Sequence, residues 1–344
     1  MARILVIRFS AIGDVAMTVP VIYSMAQQYP EHEITVLSRS FLKPLFSELP
    51  SNVHFLGVDL KSEYEGFSGL NKLYKMLKEH KFDYVADFHN VLRSKYLGLR
   101  FRLAGVPVAT MNKYRPGKRK LVRRKNKVFE RQKSTFQRYT DVLEKLGFPI
   151  LANFDSIYGD KNGDFSQIKE VVGDKNEYWL GIAPFAQHKG KIYPIERMEQ
   201  VVAHLSKDDR IKIFLFGGGA KEKAVFDEWV EKYPSIQSMI GSLNMEKELI
   251  LMSHLDLMLS MDSANMHLAS LVNTPVLSVW GATHPYAGFL GWKQLPTNTI
   301  QVEDLSCRPC SVYGDKECYR GDYACFARIE PQTIINRIER EFSL

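Results

Sequence analysis

Two segments roughly 250 residues apart share one local pattern, an apolar strand that runs into a turn of small residues and opens a helix. In the first, Ile4-Leu5-Val6-Ile7 leads into Arg8-Phe9-Ser10-Ala11-Ile12-Gly13-Asp14. In the second, Leu255 to Ser260 leads into Met261-Asp262-Ser263-Ala264-Asn265-Met266-His267-Leu268. Such a turn aims backbone N–H groups and a helix N-terminus at the mouth of a parallel sheet, where anions and sugars bind. Two of these mouths in one chain predict two α/β domains facing each other across a cleft.

The remaining pattern fits that expectation. A chain of 344 residues is long for a single core. Continuous apolar runs predict strands at 3–9, 33–37, 53–56 and 84–88, with an extended stretch at 106–110. Helical periodicity fills 15–28, 70–80, 91–103 and 134–146. Residues 155–177 are polar and punctuated by Gly159, Gly163 and Gly173, and read as the linker. Beyond it, strands at 179–183, 211–216, 255–260 and 275–280 alternate with helices near 195–205, 221–233, 246–253 and 264–272. This rhythm predicts parallel, doubly wound sheets. The domains are drawn as 1–160 and 178–326, and the last stretch, 327–344, is expected to place a helix back on the first domain.

Hydrophobic residues make up 45% and charged residues 25% of the chain, the balance of an ordinary globular protein. No apolar run approaches the roughly 20 residues of a membrane span. Arg8 and Asp14 interrupt the N-terminal apolar run too early for a signal peptide, so a cytoplasmic setting is expected. The net charge of +7 is concentrated, with eleven Lys or Arg and one acid, Glu130, between Lys113 and Lys133. That run is either a solvated face or a site for an anionic partner, such as phosphorylated lipid, a bilayer surface or nucleic acid. Readers of single-stranded nucleic acid interleave stacking aromatics with their cations, and only Tyr114 and Phe129 occur here, so no nucleic acid is expected. The cysteines form one cluster, Cys307-x2-Cys310-x7-Cys318-x6-Cys325. The spacing is irregular for a zinc ribbon, leaving free thiols, occasional disulfides or a structural zinc site.

Several residues offer chemistry. Asp14 is either a helix cap, worth about 1 kcal/mol, or a general base, with Gly13 allowing a close approach of the backbone. Lys191 is either an exposed loop charge or a cation placed to neutralise a leaving diphosphate. The amides at Ser263 and Ala264 would point at such a diphosphate, favoured by the helix dipole. His267 lies one turn after Ser263 on the same face, as a buried histidine or a ligand contact. The loops show no D-x-D pair, so no metal and no cofactor is expected.

These residues also carry a resemblance. The opening that ends at Asp14 resembles the start of glycosyltransferase family 9, the ADP-heptose:lipopolysaccharide heptosyltransferases. Asp262 to Gly281 is similar to that family's donor-site signature, as is Lys191-Ile192-Tyr193-Pro194, and the likeness runs to about Phe326. It implies an α/β GT-B architecture, with the acceptor on the N-terminal domain and the nucleotide-sugar on the C-terminal one. It implies inverting, metal-independent transfer of heptose from ADP-heptose to an anionic lipopolysaccharide inner-core sugar, with Asp14 as base and Lys191 at the leaving group. Gln187, Lys191, Glu222, Asp262, Ser263, Ala264 and His267 are then expected at the donor, although the family more often has glycine where Ala264 stands. Gly13, Asn90, Arg93, Arg119 and Arg123 are expected at the acceptor. The basic run suits such an acceptor and peripheral contact with the cytoplasmic face of the inner membrane. The loop Gly217-Gly218-Gly219-Ala220 lacks a complete G-x-G-x-x-G because Glu222 stands at its last position, and is expected to line a nucleoside pocket. Two other classes stay open, an NAD-dependent oxidoreductase built on that loop and a non-enzymatic protein that binds nucleic acid or an anionic surface through the basic run.

Overall fold

Runs of branched aliphatic residues without alternation form strands buried on both faces, and Ile4, Leu5, Val6 and Ile7 are all fully buried. In the computed structural model, which describes residues 1–344, they lie in β1 (Arg3–Ile7) at the centre of the first of two compact units. That unit comprises Met1–Tyr114 and Lys133–Ile157. Its other strands are β2 (Glu33–Arg39), β3 (Val53–Val58), β4 (Tyr84–Asp87) and β5 (Val108–Thr110), all parallel in the order β3-β2-β1-β4-β5. The order reverses between β1 and β4, and Ile7 is level with Asp87 there. Crevices at such switch points, beyond the carboxyl ends of the strands, are where open α/β sheets bind ligands.

The second unit comprises Arg115–Gln132 and Tyr158–Leu344. Its strands are β6 (Tyr178–Ala183), β7 (Ile211–Leu215), β8 (Ile236–Ser238), β9 (Leu257–Met261), β10 (Val276–Val279) and β11 (Thr299–Ile300). All pair in parallel, in the order β11-β10-β9-β6-β7-β8. Here the switch point lies between β6 and β9, with Ala183 level with Ser260.

Three expectations need correction. The helix expected at 15–28 is two helices, Ile12–Ala16 and Val19–Gln28. Pro20 has no N–H to give the carbonyl of Ala16, so the helix restarts where a proline near its first position costs nothing. The last helix, Pro331–Glu341, buries Ile334, Ile335 and Ile338 in the core of the second unit, against the Ile195–Leu205 helix. Tyr193 and Arg197 fix the chain just before it by donating to the carbonyl of Ile329, at 2.7 and 3.0 Å. It therefore packs on its own unit, where it was expected on the first.

The third correction concerns the basic run, whose residues 115–132 belong to the second unit although the chain on either side belongs to the first. The Lys127 ammonium donates to the carbonyls of Ser306, Arg308 and Pro309 at 3.0, 2.7 and 3.0 Å. Lys118 is buried with its ammonium 4.0 Å from the centre of the Phe289 ring, a cation–π contact. Phe129 packs on His284 and Tyr286, and Gln132 N–H donates to the Tyr286 carbonyl. With Arg124 stacked over the Tyr319 ring at 3.9 Å, three of the eleven cations hold the excursion down, while Arg119 and Arg123 stay exposed.

Candidate active site

In the first unit the loops after β1 and β4 meet at the switch point. Asp14 is the third residue of the Ile12–Ala16 helix, and its Oδ2 accepts from the Ala11 N–H at 3.3 Å, so it braces the helix start from within the first turn. The same oxygen lies 2.6 Å from Nη2 of Arg8, while Nη1 of Arg8 donates to the Phe88 carbonyl at 2.8 Å. Arg8 is buried, and one-third of the Asp14 side chain, 33%, remains accessible. Burial works against the charge on Arg8, but Tyr139 and Asp14 outweigh it and its pKa is raised. Tyr139 stacks on Phe88 and donates to the Asp14 carbonyl at 3.1 Å. An Arg–Asp pair therefore ties the two loops together and presents a carboxylate at the sheet mouth. In the sequence Arg8 stands out only as an interruption of the apolar run; its second partner lies 80 residues away at Phe88.

Asn90 holds this corner. Its backbone is left-handed, with φ at 51°, a conformation asparagine tolerates better than most residues. The N–H groups of His89 and Asn90 both donate to Oδ1 of Asp87, and the Asn90 amide donates to the Met111 carbonyl at 2.6 Å. Its side chain is thus committed to the scaffold. Arg93 is exposed at the start of the next helix. Gly13 is buried beside Asp14.

His89 is buried, and burial, with Arg8 and Lys113 adding, lowers its pKa from 6.5 to about 3. In the second unit burial, with Arg308 and Lys127 adding, lowers His284 to about 4. Both stay neutral when folded, whereas an unfolded chain protonates them near pH 6.5. Their contribution to stability is therefore complete above about pH 6.5 and is lost as pH falls, by up to about 1.4 kcal/mol per pH unit for each. The urea midpoint should drop between pH 6.5 and 4.5, and the double variant His89→Asn/His284→Asn should drop less steeply. An unchanged slope in that variant would assign the loss to other groups.

In the second unit the loops after β6 and β9 bring Lys191 and Asp262 together. The Lys191 ammonium is 2.9 Å from Oδ2 of Asp262, with side chains only 16% and 3% exposed. The contact is an ion pair bent away from hydrogen-bond geometry, so Oδ2 of Asp262 lacks a hydrogen-bond donor. Ser263 precedes the Ala264–Leu271 helix, but its hydroxyl shares a hydrogen bond with Ser260 at 3.2 Å and does not cap the helix. The first-turn amides thus have no side-chain cap, the arrangement that receives an anion. Ala264 is the first helical residue and lies outside the left-handed region, so glycine is not required there. His267 is buried one turn on. Gln187 is exposed in the loop after β6.

The Lys191 loop is fixed by close backbone contact that no motif signals. A side chain at Gly190 would meet the Gly314 carbonyl at 2.8 Å and the Ala282 Cβ at 3.0 Å. The Ala282 N–H donates to Gly190, and buried Arg308 donates to the carbonyls of Gly281, Thr283 and Val302. Glu222, expected at the donor, accepts from the Gly218 N–H at 2.8 Å and closes the glycine loop on itself. All four cysteines are free and line one cavity together with Arg308. Burial pushes the Cys325 thiol up to about 12 and raises that of Cys310, which keeps both protonated at neutral pH. No group of three or more His, Cys, Asp or Glu is arranged to hold a metal ion.

Residues 70–319 match glycosyltransferase family 9 (heptosyltransferase). The lipopolysaccharide core heptosyltransferase OpsX of Haemophilus influenzae is 25% identical over 293 residues, covering 81% of this chain and 79% of that protein. The solved structure of Escherichia coli ADP-heptose lps heptosyltransferase II superposes with a TM-score of 0.69 at 18% identity, covering 99% and 98% of the two chains. Escherichia coli heptosyltransferase WaaC with ADP-2-deoxy-2-fluoro heptose gives 0.68 at 16% identity, covering 98% and 99%. The structural likenesses carry the fold, two parallel-sheet Rossmann-like units of the α/β GT-B class. The family match spans well over half of the sequence, and the chain therefore belongs to glycosyltransferase family 9, the heptosyltransferases.

Proposed function

We propose that this protein transfers heptose from ADP-heptose to a phosphorylated inner-core sugar of lipopolysaccharide, with inversion at the anomeric carbon. The observation that carries the donor half is the buried Lys191–Asp262 pair beside an uncapped helix N-terminus at a sheet switch point. Cation, amides and dipole converge there as a leaving diphosphate requires. The relatives support the substrates, since one is a lipopolysaccharide core heptosyltransferase and one was solved with a fluorinated ADP-heptose. Gln187 and His267 would add donor contacts. Arg93, Arg119 and Arg123 would meet the acceptor phosphates.

Asp14 takes the proton from the acceptor hydroxyl as its oxygen bonds to the anomeric carbon. The bond from that carbon to the diphosphate oxygen breaks on the opposite face, and ADP leaves with the electron pair. No helix is long and apolar enough to cross a membrane. We place the reaction at the cytoplasmic face of the inner membrane, where the acceptor is anchored.

The test is a thermal-shift series with ADP-, UDP- and GDP-sugars and NAD, followed by transfer to a lipopolysaccharide acceptor with and without EDTA. ADP-heptose at about 100 times its Kd should add about 2.7 kcal/mol of stability, with no comparable shift from UDP- or GDP-sugars. Transfer should survive EDTA, because Lys191 supplies the charge a metal ion supplies elsewhere. Stabilisation by NAD and not by any ADP-sugar would overturn the proposal.

A further inference from the structure

The Leu92–Leu103 helix of the first unit carries an apolar ridge on its outer side. Leu92, Leu99 and Leu103 are 74%, 52% and 77% exposed. At 3.6 residues per turn the three fall within a sector of about 40°. Ser94, Leu97, Gly98 and Phe101 occupy the buried side. Lys95 and Arg102 flank the ridge on one shoulder and Arg93 on the other, while Arg100 turns onto the Tyr74 ring at 4.3 Å and donates to Asn71, and the helix contains no acid. Phe67, 69% exposed, extends the patch from the neighbouring helix with its ring 5.9 Å from Tyr96. Single exposed leucines are ordinary, but an aligned row with an aromatic is a patch that calls for a partner.

We infer that this ridge docks the protein on an anionic bilayer. The assignment rests on the proposed function for its setting, an acceptor anchored in a membrane. An apolar apex between cationic shoulders matches a helix lying in the interfacial plane, with leucines among the upper acyl carbons and Lys or Arg heads at lipid phosphates. Charge complementarity selects the occupant. A second copy packed on the same face would set the exposed Arg93, Lys95 and Arg102 against the same three cations, whereas an anionic surface neutralises them. The helix begins two residues after Asn90, so docking along it holds the sheet end bearing Asp14 close to the lipid surface.

Full-length protein is tested by co-sedimentation with phosphatidylcholine vesicles, with and without phosphatidylglycerol, and compared with Leu99→Ser/Leu103→Ser. Both positions are exposed, and the melting temperature checks that the variant folds. Wild type should bind the anionic vesicles and bind neutral ones at least tenfold more weakly. The variant should lose on the order of tenfold or more in anionic-vesicle affinity. It should keep transfer to a deacylated, water-soluble core saccharide while losing transfer to vesicle-embedded acceptor. No binding by wild type, or equal binding by the variant, overturns the inference. So does self-association of wild type without lipid that the variant abolishes, which would make the ridge a contact between copies. Vesicle binding as expected without transfer to either acceptor would sink the proposed activity and leave the docking assignment standing.

Discussion

Replacing Asp14 with Asn should lower kcat by roughly 10²–10⁴-fold, the range expected when a general base is lost. The substitution is close to isosteric. The new amide still offers an oxygen to the Ala11 N–H, and Arg8 keeps the Phe88 carbonyl, so the loop should hold its shape. What disappears is the negative charge beside Arg8. With Asp14 one-third exposed but Arg8 buried, losing that charge falls between the surface and the buried case and costs about 1–3 kcal/mol, since Arg8 keeps the Phe88 carbonyl. The melting temperature should therefore fall by only a few degrees while turnover falls by orders of magnitude. The affinity for ADP-heptose should change by less than about twofold, because the groups assigned to the donor belong to the other unit. Near-normal kcat with the same small loss of stability would reduce Asp14 to a brace for its short helix.

The parts of this protein legible from sequence are those in which neighbours along the chain settle the outcome. Four consecutive aliphatics make β1 a strand wherever the chain runs next. Ser134 and Gln137 form the reciprocal capping box that opens the Thr135–Lys145 helix at its expected start. The strand-turn-helix motifs at Gly13-Asp14 and Asp262-Ser263 fall at the two switch points for the same local reason. What escaped is non-local. Nothing near Lys127 reveals that its ammonium will meet carbonyls about 180 residues away, so the unit that owns the basic run could not be read. The isoleucine stripe at Ile334, Ile335 and Ile338 says that the last helix is buried on one side, but not against which unit. Gly190 and Gly314 carry no motif, because Gly190 is required by a backbone that passes close to it and Gly314 by its left-handed φ of 76° and the Lys191 side chain packed against it. The Lys191–Asp262 pairing was half visible, since each residue stood out alone and only the adjacency of β6 and β9 joins them.

That pairing makes Lys191 the second residue whose loss should be severe, and two effects must be separated. Lys191→Met should lower kcat by about 10²–10³-fold, as when one preorganised electrostatic group is removed from a developing anion. The variant also leaves the Asp262 carboxylate buried without its counter-charge, and breaking a buried pair on one side costs about 3–5 kcal/mol. A fall in stability that large could by itself account for lost activity. The double variant Lys191→Met/Asp262→Asn removes the stranded charge. It should regain most of the melting temperature lost by the single variant, while kcat stays depressed at least 10²-fold. Lys191→Arg keeps a cation at the site and should retain more turnover than either. If Lys191 only balances Asp262, the double variant will recover turnover together with stability, and the thermodynamic cycle built from wild type, Lys191→Met, Asp262→Asn and the double variant will place the whole coupling between the two side chains in the folded state.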